Sequence, residues 1–438
     1  MSDLHSTLTC TVVLLLLMVT AHADAGRLDQ HGSEYFELSV SQMFDDEGRT
    51  LLVVSTAIPY RRLVFFRKGG RYEAGYRVYM EMKDRKGRYV RGDVWEKFLA
   101  VESYEEVNSA SAVSISRNSF IVEPGEYNIK VTLEVVNTSL RFKRETSIRI
   151  VGYDEGKLGL ADPVFLIADS GMNHRKPSRG EMILSTCMAP DDVGFRMNPG
   201  AVYAEFGAWP RVTYNLVGHA AEGRENGCVI SSRVTNSRGE VVLYNRRAMQ
   251  MDKNRYLLFC LDFNIDDFVI GEFEVSTVVE APKTNEKASV HGRFTVLLNR
   301  GLLGEHFEKA LELLSIIAED DELTELKGAL PADRLDAWRR FWKRRDSSPR
   351  TGVNEELGDF LNRARHVLKT FSKYRPGWET DRGRIYIRYG PPDKIIDRQG
   401  KSLGSNYRLW YYYSRSIVYI FEDSMGMGEF RLMMTQPI

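Results

Sequence analysis

The chain has 438 residues with 60 basic and 60 acidic side chains, a formal net charge of zero. That length exceeds one ordinary domain, and the balance leaves no global field to draw the chain onto nucleic acid or an anionic membrane, so neither is expected as a main partner. Four cysteines in such a length exclude a scaffold stapled by disulfides.

The first element in chain order is an apolar run, Thr11 to Thr20, followed by the small residues Ala21 and Ala23. This is the pattern of a secretory leader over residues 1–23, with Ala21-His22-Ala23 as the cleavage box and cleavage after Ala23. Its charge is atypical, because Asp3 precedes the apolar run and no lysine or arginine does. The run is too short to span a bilayer as a mature helix, and no later run approaches the needed length. A periplasmic or extracellular chain without an integral membrane span is therefore expected.

Residues 34–153 read as short alternating runs, among them YFELSVSQMF, RTLLVVSTAI and EYNIKVTLEVV, broken by Gly-, Pro- or charge-rich turns. This predicts a β-sandwich. In GYRVYMEMKDRKGRYV, Val78, Met80 and Met82 alternate with Tyr79, Glu81 and Lys83 before a turn at Asp84 to Gly87.

Residues 158–300 repeat the plan. Gly125-Glu126-Tyr127 matches Gly271-Glu272-Phe273, and the register continues through Glu134 with Glu280, Ile148 with Phe294 and Ile150 with Val296. KDRKGRYV also has a counterpart in TNSRGEVV, Thr235 to Val242. Two tandem immunoglobulin-like antiparallel sandwiches are the economical reading. The cysteines after the leader are Cys187, Cys228 and Cys260; Cys228 and Cys260 lie in strand-like runs and are a candidate bridge, with a buried free thiol as the alternative. No CxxC spacing or histidine pair suggests a metal site, and His219 and His291 stand alone, so neither a metal nor a cofactor is expected.

Residues 301–372 change to helical spacing. Phe307, Leu311, Leu314 and Ile317 share one face; Leu335, Trp338 and Phe341 or Trp342 share another. A further helix carries Leu357, Phe360 or Leu361, Ala364, Val367 or Leu368, and Phe371, with Asn354 as its N-cap. In residues 373–438 the period returns to two: RIYIRYG, RLWYYYSR, SIVYIFED and GEFRLMM predict a four-stranded antiparallel meander packed on the helices. The fold class is thus multidomain and mainly β, ending in a helical connector and a small α+β domain.

Between the last helix and that meander lies GWETDRGRIYIRYGPPD, Gly377 to Asp393. With RLWYYYSRSIVYIFEDSMGMGEFRL after it and RRFWKRRDSSP upstream, it resembles the GWxTD domain, named for Gly377-Trp378-Glu379-Thr380-Asp381. The specific match runs from about Trp338 to Leu432. Members of that family are typically exported proteins of Gram-negative bacteria with no established activity, which implies an envelope protein.

The motif concentrates candidate site residues: Gly377, Trp378, Thr380, Asp381, Arg382, Gly383, Arg384, Tyr386, Tyr389, Gly390, Pro391, Pro392 and Asp393, with Trp410 nearby in sequence. Nucleophilic catalysis needs a base beside the nucleophile, yet no histidine follows His366, no cysteine follows Cys260 and no serine lies between Ser372 and Ser402. The glycines at 377, 383 and 390 lack phosphate-loop spacing. Turn and capping chemistry accounts for more: Gly377 and Gly390 as turns, Thr380 or Asp381 as a cap, Trp378 as a buried wedge, Asp381 as an arginine's partner, and the prolines as a strand stop. Exposed tyrosines among Tyr411, Tyr412 and Tyr413, interleaved with Arg384, Arg388, Arg408 and Arg415, suit a protein or envelope glycan surface. The residues point to a non-catalytic binding or assembly role; the alternative is a carboxylate-dependent enzyme acting on a glycan or peptide near Asp381 and Asp393.

Overall fold

The computed structural model of the chain describes residues 35–45, 47–107, 112–152, 157–168, 176–187, 195–204, 209–218, 227–252, 256–266, 268–282, 285–347, 354–373, 375–399 and 406–438. The expected leader and His219 lie outside the described residues.

The first unit contains β1 (Glu37–Phe44), β2 (Thr50–Pro59), β3 (Phe66–Lys68), β4 (Arg71–Asp84), β5 (Tyr89–Val101), a helical turn α1 (Tyr104–Val107), β6 (Val113–Ile121), β7 (Gly125–Val135) and β8 (Arg141–Ile150). A β1-β2-β6 sheet faces a second sheet ordered β3-β4-β7-β8, with β5 on the free side of β4. Alternation decides what is buried: Tyr76, Val78, Met80 and Met82 of β4 point into the core with Leu52, Val54, Ile129 and Val131, and the residues between them do not. Each such aliphatic side chain contributes about 1.5–3 kcal/mol by leaving water.

The second unit contains β9 (Gly159–Leu160), β10 (Val164–Ala168), β11 (Met182–Thr186), β12 (Phe195–Met197), β13 (Val202–Ala204), β14 (Pro210–Val217), β15 (Gly227–Asn236), β16 (Val241–Gln250), β17 (Tyr256–Phe263), β18 (Gly271–Ala281) and β19 (Glu286–Leu298). Its sheets are ordered β11-β17-β14-β10-β12 and β13-β19-β18-β15-β16. The expected plan of two tandem sandwiches holds, with one departure: β13 pairs with β19 in parallel.

The internal repeat is visible in the ladders. Tyr127 faces Ile148 across β7 and β8, and Phe273 faces Phe294 across β18 and β19. Asp84 ends β4 as Asn236 ends β15. Each side chain accepts backbone N–H bonds from residues two and four further on, at 2.9 and 2.9 Å for Asp84 and 3.0 and 3.0 Å for Asn236. Each turn then needs a left-handed residue, and glycine supplies it at Gly87 (φ 78°) and Gly239 (φ 80°).

The cysteine pairing differs from the sequence expectation. Cys187 is bonded to Cys260, and Cys228 is a buried free thiol. Cys260 lies on β17 and Cys228 on β15, strands of opposite sheets, whereas β11 runs beside β17 and delivers Cys187 at its end, with a Cα–Cα distance of 5.7 Å. That distance is ordinary for a bridge. Under non-reducing digestion the linked peptides should contain Cys187 and Cys260, with Cys228 alkylated only after unfolding. Cys260→Ser should lower stability by about 2–4 kcal/mol in equilibrium denaturation.

The chain then forms α2 (Phe307–Leu314), α3 (Asp320–Gly328), α4 (Arg334–Arg345) and α5 (Glu355–Phe371). Asn354 caps α5 as expected, its side chain accepting from Leu357 N. Helix α3 has no counterpart in the sequence reading because it buries little more than Leu326. It is held by a Glu319–Glu322 capping box and by Arg345 on Glu322 and Arg340 and Arg344 on Glu325.

RIYIRYG is not a strand. Asp381–Tyr389 form a helix, α6, and the meander begins one segment later: β20 (Lys394–Gln399), β21 (Asn406–Tyr412), β22 (Ile417–Asp423) and β23 (Arg431–Pro437). The short alternation of Ile385, Ile387 and Tyr389 suggests period two. Yet Arg382, Ile385, Tyr386 and Tyr389 also follow helical spacing, and the Thr380 cap selects the helix. Helices and sheet share one core with Ile270, Leu297 and Leu298 of the second sandwich.

Strand β1 ties the units together. The Gln42 side chain exchanges two hydrogen bonds with the Val151 backbone, Gln42 N donates to Asp162, and Phe44 N donates to Asn215. At its start, Glu37 takes both guanidinium nitrogens of Arg365 on α5, with Arg144 at 3.6 Å. Burial opposes ionisation of Glu37, but Arg365, then Arg144 and Lys369, outweigh it and lower its pKa from 4.5 to about 2. The folded value lies below the unfolded one, so this stabilisation is complete above about pH 4.5 and is lost as pH falls towards 2. Glu37→Gln should cost about 3 kcal/mol at pH 7 by leaving Arg365 without its counter-charge. The gap between parent and variant in urea titrations should close across that acidic window.

Candidate functional site

The motif is built around two close backbone approaches. Gly377–Glu379 form one 3-10 turn, entered from Ser372, whose Oγ accepts from Gly377 N at 2.8 Å. A Cβ on Gly377 would lie 2.1 Å from Val367 O, and one on Gly383 would lie 1.9 Å from Gly377 O. Thr380 joins the same contact: its hydroxyl donates to Gly377 O at 2.6 Å and accepts from Gly383 N at 3.0 Å, capping α6. Between these fixed points Trp378 is buried, 2% exposed, with the Lys309 ammonium 5.6 Å from its ring centre and 3.7 Å from Glu379.

Among the described residues Asp381 has no arginine partner, contrary to expectation. Its Oδ2 accepts from Leu432 N at 2.8 Å and so pins β23 to the start of α6. Arg382, the next residue in sequence, turns inwards between the rings of Phe371 and Phe430, at 4.8 and 4.5 Å, and donates to Gly428 O. Burial, aided by Arg408 and opposed by Asp423 and Asp397, lowers its pKa to about 10, so it remains a cation at neutral pH.

At the other end of α6, Gly390 has a positive φ (81°), which favours glycine, and its carbonyl accepts from the Tyr412 hydroxyl at 2.9 Å. Pro391 and Pro392 lead into β20, and Asp393 accepts from Tyr413 N at 2.7 Å. Asp381 and Asp393 therefore flank a helix of nine residues, about 13 Å at 1.5 Å per residue, and each serves a backbone N–H. Tyr386 stacks on His366 at 4.3 Å, and Tyr389 lies 6.0 Å from Tyr419 with Arg415 over its ring at 4.4 Å. Burial first, then Arg365, pushes His366 down to about 4, leaving a neutral packing surface at pH 7. Arg384 and Arg388 are exposed, although Arg388 Nε donates to Ile316 O; of the three successive tyrosines, Tyr413 faces solvent and Tyr412 is buried. Trp410 is buried in the shared core.

Beside the motif lies a cleft of about 340 Å³. Pro376, Trp378, Glu379, Ser372 and Arg375 form one wall; the Asn236–Glu240 turn and Val269 to Phe273 of the second sandwich form the other. The cleft contains neither Asp381 nor Asp393. Nothing in the sequence signalled the second wall, because those residues read as a strand turn and are placed there only by the tertiary packing. Among the described residues, no group of three histidine, cysteine, aspartate or glutamate side chains could hold a metal ion.

The family model of the GWxTD domain matches residues 304–429. The chain carries a GWxTD domain. The match begins at Gly304, so the GWxTD domain takes in α2 to α5 as well as the motif and most of the sheet. No curated protein matches. Solved structures to which the chain is similar include red sea bream transglutaminase, 10% identical over 60% of this chain and 31% of that one, with a TM-score of 0.17. The fibronectin(III)-like modules of Clostridium thermocellum CbhA are 10% identical over 60% and 94%, with a TM-score of 0.14. The C-terminal domain of the Streptococcus agalactiae AgI/II polypeptide BspA is 9% identical over 60% and 99%, with a TM-score of 0.16. The chain spans about a third of the transglutaminase's length. None of these likenesses carries an argument beyond the resemblance itself.

The close approaches within the GWxTD domain give a direct test. Gly383→Ala places a methyl against a backbone carbonyl that cannot yield, and should cost more than about 3 kcal/mol or unfold the domain. Thr380→Ala removes the cap and should cost about 1–2 kcal/mol, most of it recovered by Thr380→Ser. Equilibrium denaturation measures all three, and a Gly383→Ala variant as stable as the parent would remove the contact as a constraint.

Proposed function

We propose that the chain is a non-catalytic, exported binding or assembly protein of the bacterial cell envelope. In this reading the GWxTD motif is architectural, and the cleft beside it is the surface that meets a partner. The observation that carries it is the commitment of the motif's polar atoms: Thr380, Asp381, Asp393 and the Gly390 carbonyl each hold another part of the same domain. The motif's Trp378 and Glu379 contribute to an open cleft instead of an enclosed acid–base pair. The sandwiches serve as spacers that carry the second wall of that cleft.

The Cys187–Cys260 bridge supports an oxidising compartment, periplasmic or extracellular, in line with the leader-like start of the sequence. No helix among the described residues is long and apolar enough to cross a membrane. The partner chemistry that fits an apolar floor with a mixed-charge rim is a protein or an envelope glycan surface.

A photoreactive amino acid placed at Val269, which is 39% exposed on the cleft rim, tests the reading in the full chain in its native envelope. The expected result is a discrete adduct from position 269 that does not form from Lys143, on the outer face of the first sandwich. Identical adducts from both positions overturn it. So does a turnover of glycan or peptide substrates by the purified protein that Asp381→Asn or Asp393→Asn abolishes at unchanged melting temperature.

A further inference from the structure

The charges around the cleft are unequally engaged. Glu379 lies 3.7 Å from Lys309, and Glu240 accepts from the Asn236 amide at 2.7 Å. Burial raises the pKa of Glu272 against the weaker opposing fields of Lys369, Arg293 and Arg365, none of which forms an ion pair with it. Two of the rim's carboxylates, Glu379 and Glu240, are thus answered by a cation or a donor, and burial disfavours the charge of the third, Glu272.

The positive side is under-used. Arg238 is exposed, and among the described residues its guanidinium has neither a hydrogen bond nor an ion pair. Arg375, on the opposite wall, has Glu429 at 3.6 Å, a loose pair in which each side chain is about 40% exposed and which contributes little. Ser372 Oγ accepts from Gly377 N, and among the described residues its hydroxyl has no acceptor, so it can donate into the cleft it lines. Below these three groups the floor is apolar, formed by Ile270, Leu368 and Trp378.

We propose that the cleft binds the carboxylate end of a polypeptide whose last residue is apolar, the terminal side chain resting on Ile270, Leu368 and Trp378 and the carboxylate held by Arg238, Arg375 and Ser372. Guanidinium groups suit this role because their paired N–H donors match both oxygens of a carboxylate. A volume of about 340 Å³ is at the small end for ligand sites, enough for a terminal residue and too short for a long hydrocarbon chain. The mixed charges of the outer rim then meet the polar backbone of the chain as it leaves. This inference rests on reading the cleft as the partner-binding surface.

The test uses the full chain without its leader and two probes: the peptide N-acetyl-Ala-Ala-Leu-Leu with a free carboxylate, and the same peptide as its carboxamide. Titration calorimetry at low salt should show the free acid binding at least tenfold tighter than the amide. Arg238→Ala combined with Arg375→Ala should erase that difference without changing the melting temperature. Equal affinity for acid and amide, or no saturable binding of either at millimolar concentration, overturns the proposal. Decanoate binding as tightly as the peptide overturns it in favour of a free apolar acid. If the Val269 adduct persists while acid and amide bind alike, the partner-binding reading stands and the chain-end inference falls; if the adduct is also absent, both fall.

Discussion

Two backbone carbonyls set the build of the C-terminal domain. Val367 O and Gly377 O occupy the space that a Cβ on Gly377 or Gly383 would take, at 2.1 and 1.9 Å. The 3-10 turn can therefore lie directly on α5, and α6 directly on the turn, only with glycine at both positions. Once that stack is made, the rest of the motif follows geometrically. Thr380 caps α6 where the two carbonyl contacts meet, Trp378 is wedged beneath the turn, and the fixed axis of α6 delivers Asp381 to Leu432 N and Gly390 O to the Tyr412 hydroxyl.

The core that receives this stack is specified by ring geometry more than by hydrogen bonding. Among the described residues, the indole N–H groups of Trp342, Trp378 and Trp410 are buried without an acceptor, as is Arg382 Nε. Each unmet donor costs on the order of 1–3 kcal/mol. Edge-to-face contacts oppose that cost, with Phe341 against Trp342 at 5.1 Å and Trp410 against Phe421 at 5.0 Å. Arg382 is held likewise, by two phenylalanine faces instead of a carboxylate. A core of this kind tolerates little lateral movement, because shifting one ring removes the contacts that offset several unpaired donors.

Much of this was legible in the sequence where one periodicity dominates. The β-sandwich strands alternate cleanly, and the repeat register, Tyr127 with Phe273 and Ile148 with Phe294, reappears as paired ladders because two-residue alternation fixes which face each side chain takes. Asn354 was readable as a helix cap and Thr380 or Asp381 as the cap of the turn that follows, because short polar side chains precede such turns; the structure gives the second role to Thr380. The misreadings share a cause. RIYIRYG satisfies both periods over five residues, so only the Thr380 cap and the packing on α5 decide between them. The bridge partner of Cys260 depends on strand order, which alternation does not encode: Cys187 sits at the end of a strand adjacent in the sheet but 73 residues away in sequence. Asp381 was expected to pair with an arginine, but a helix N-terminus beside an edge strand gave it a backbone donor. The cleft was illegible because half of it comes from a turn whose sequence is fully explained by its own hairpin.

The motif and the cleft also depend on different contacts. The motif is determined within the GWxTD domain, whereas the cleft exists only while the second sandwich stays against it, through Ile270, Leu297 and Leu298 in the shared core. The first sandwich is tied to both neighbours by β1, whose Glu37 holds Arg365 on α5 and whose Gln42 and Phe44 hold Asp162 and Asn215. A ligand that touches both walls therefore stabilises the arrangement of sandwich and domain. By thermodynamic reciprocity, whatever strengthens that arrangement strengthens the ligand's hold by the same factor. The second sandwich is in this sense part of the cleft, since it carries the wall that the GWxTD domain cannot form alone.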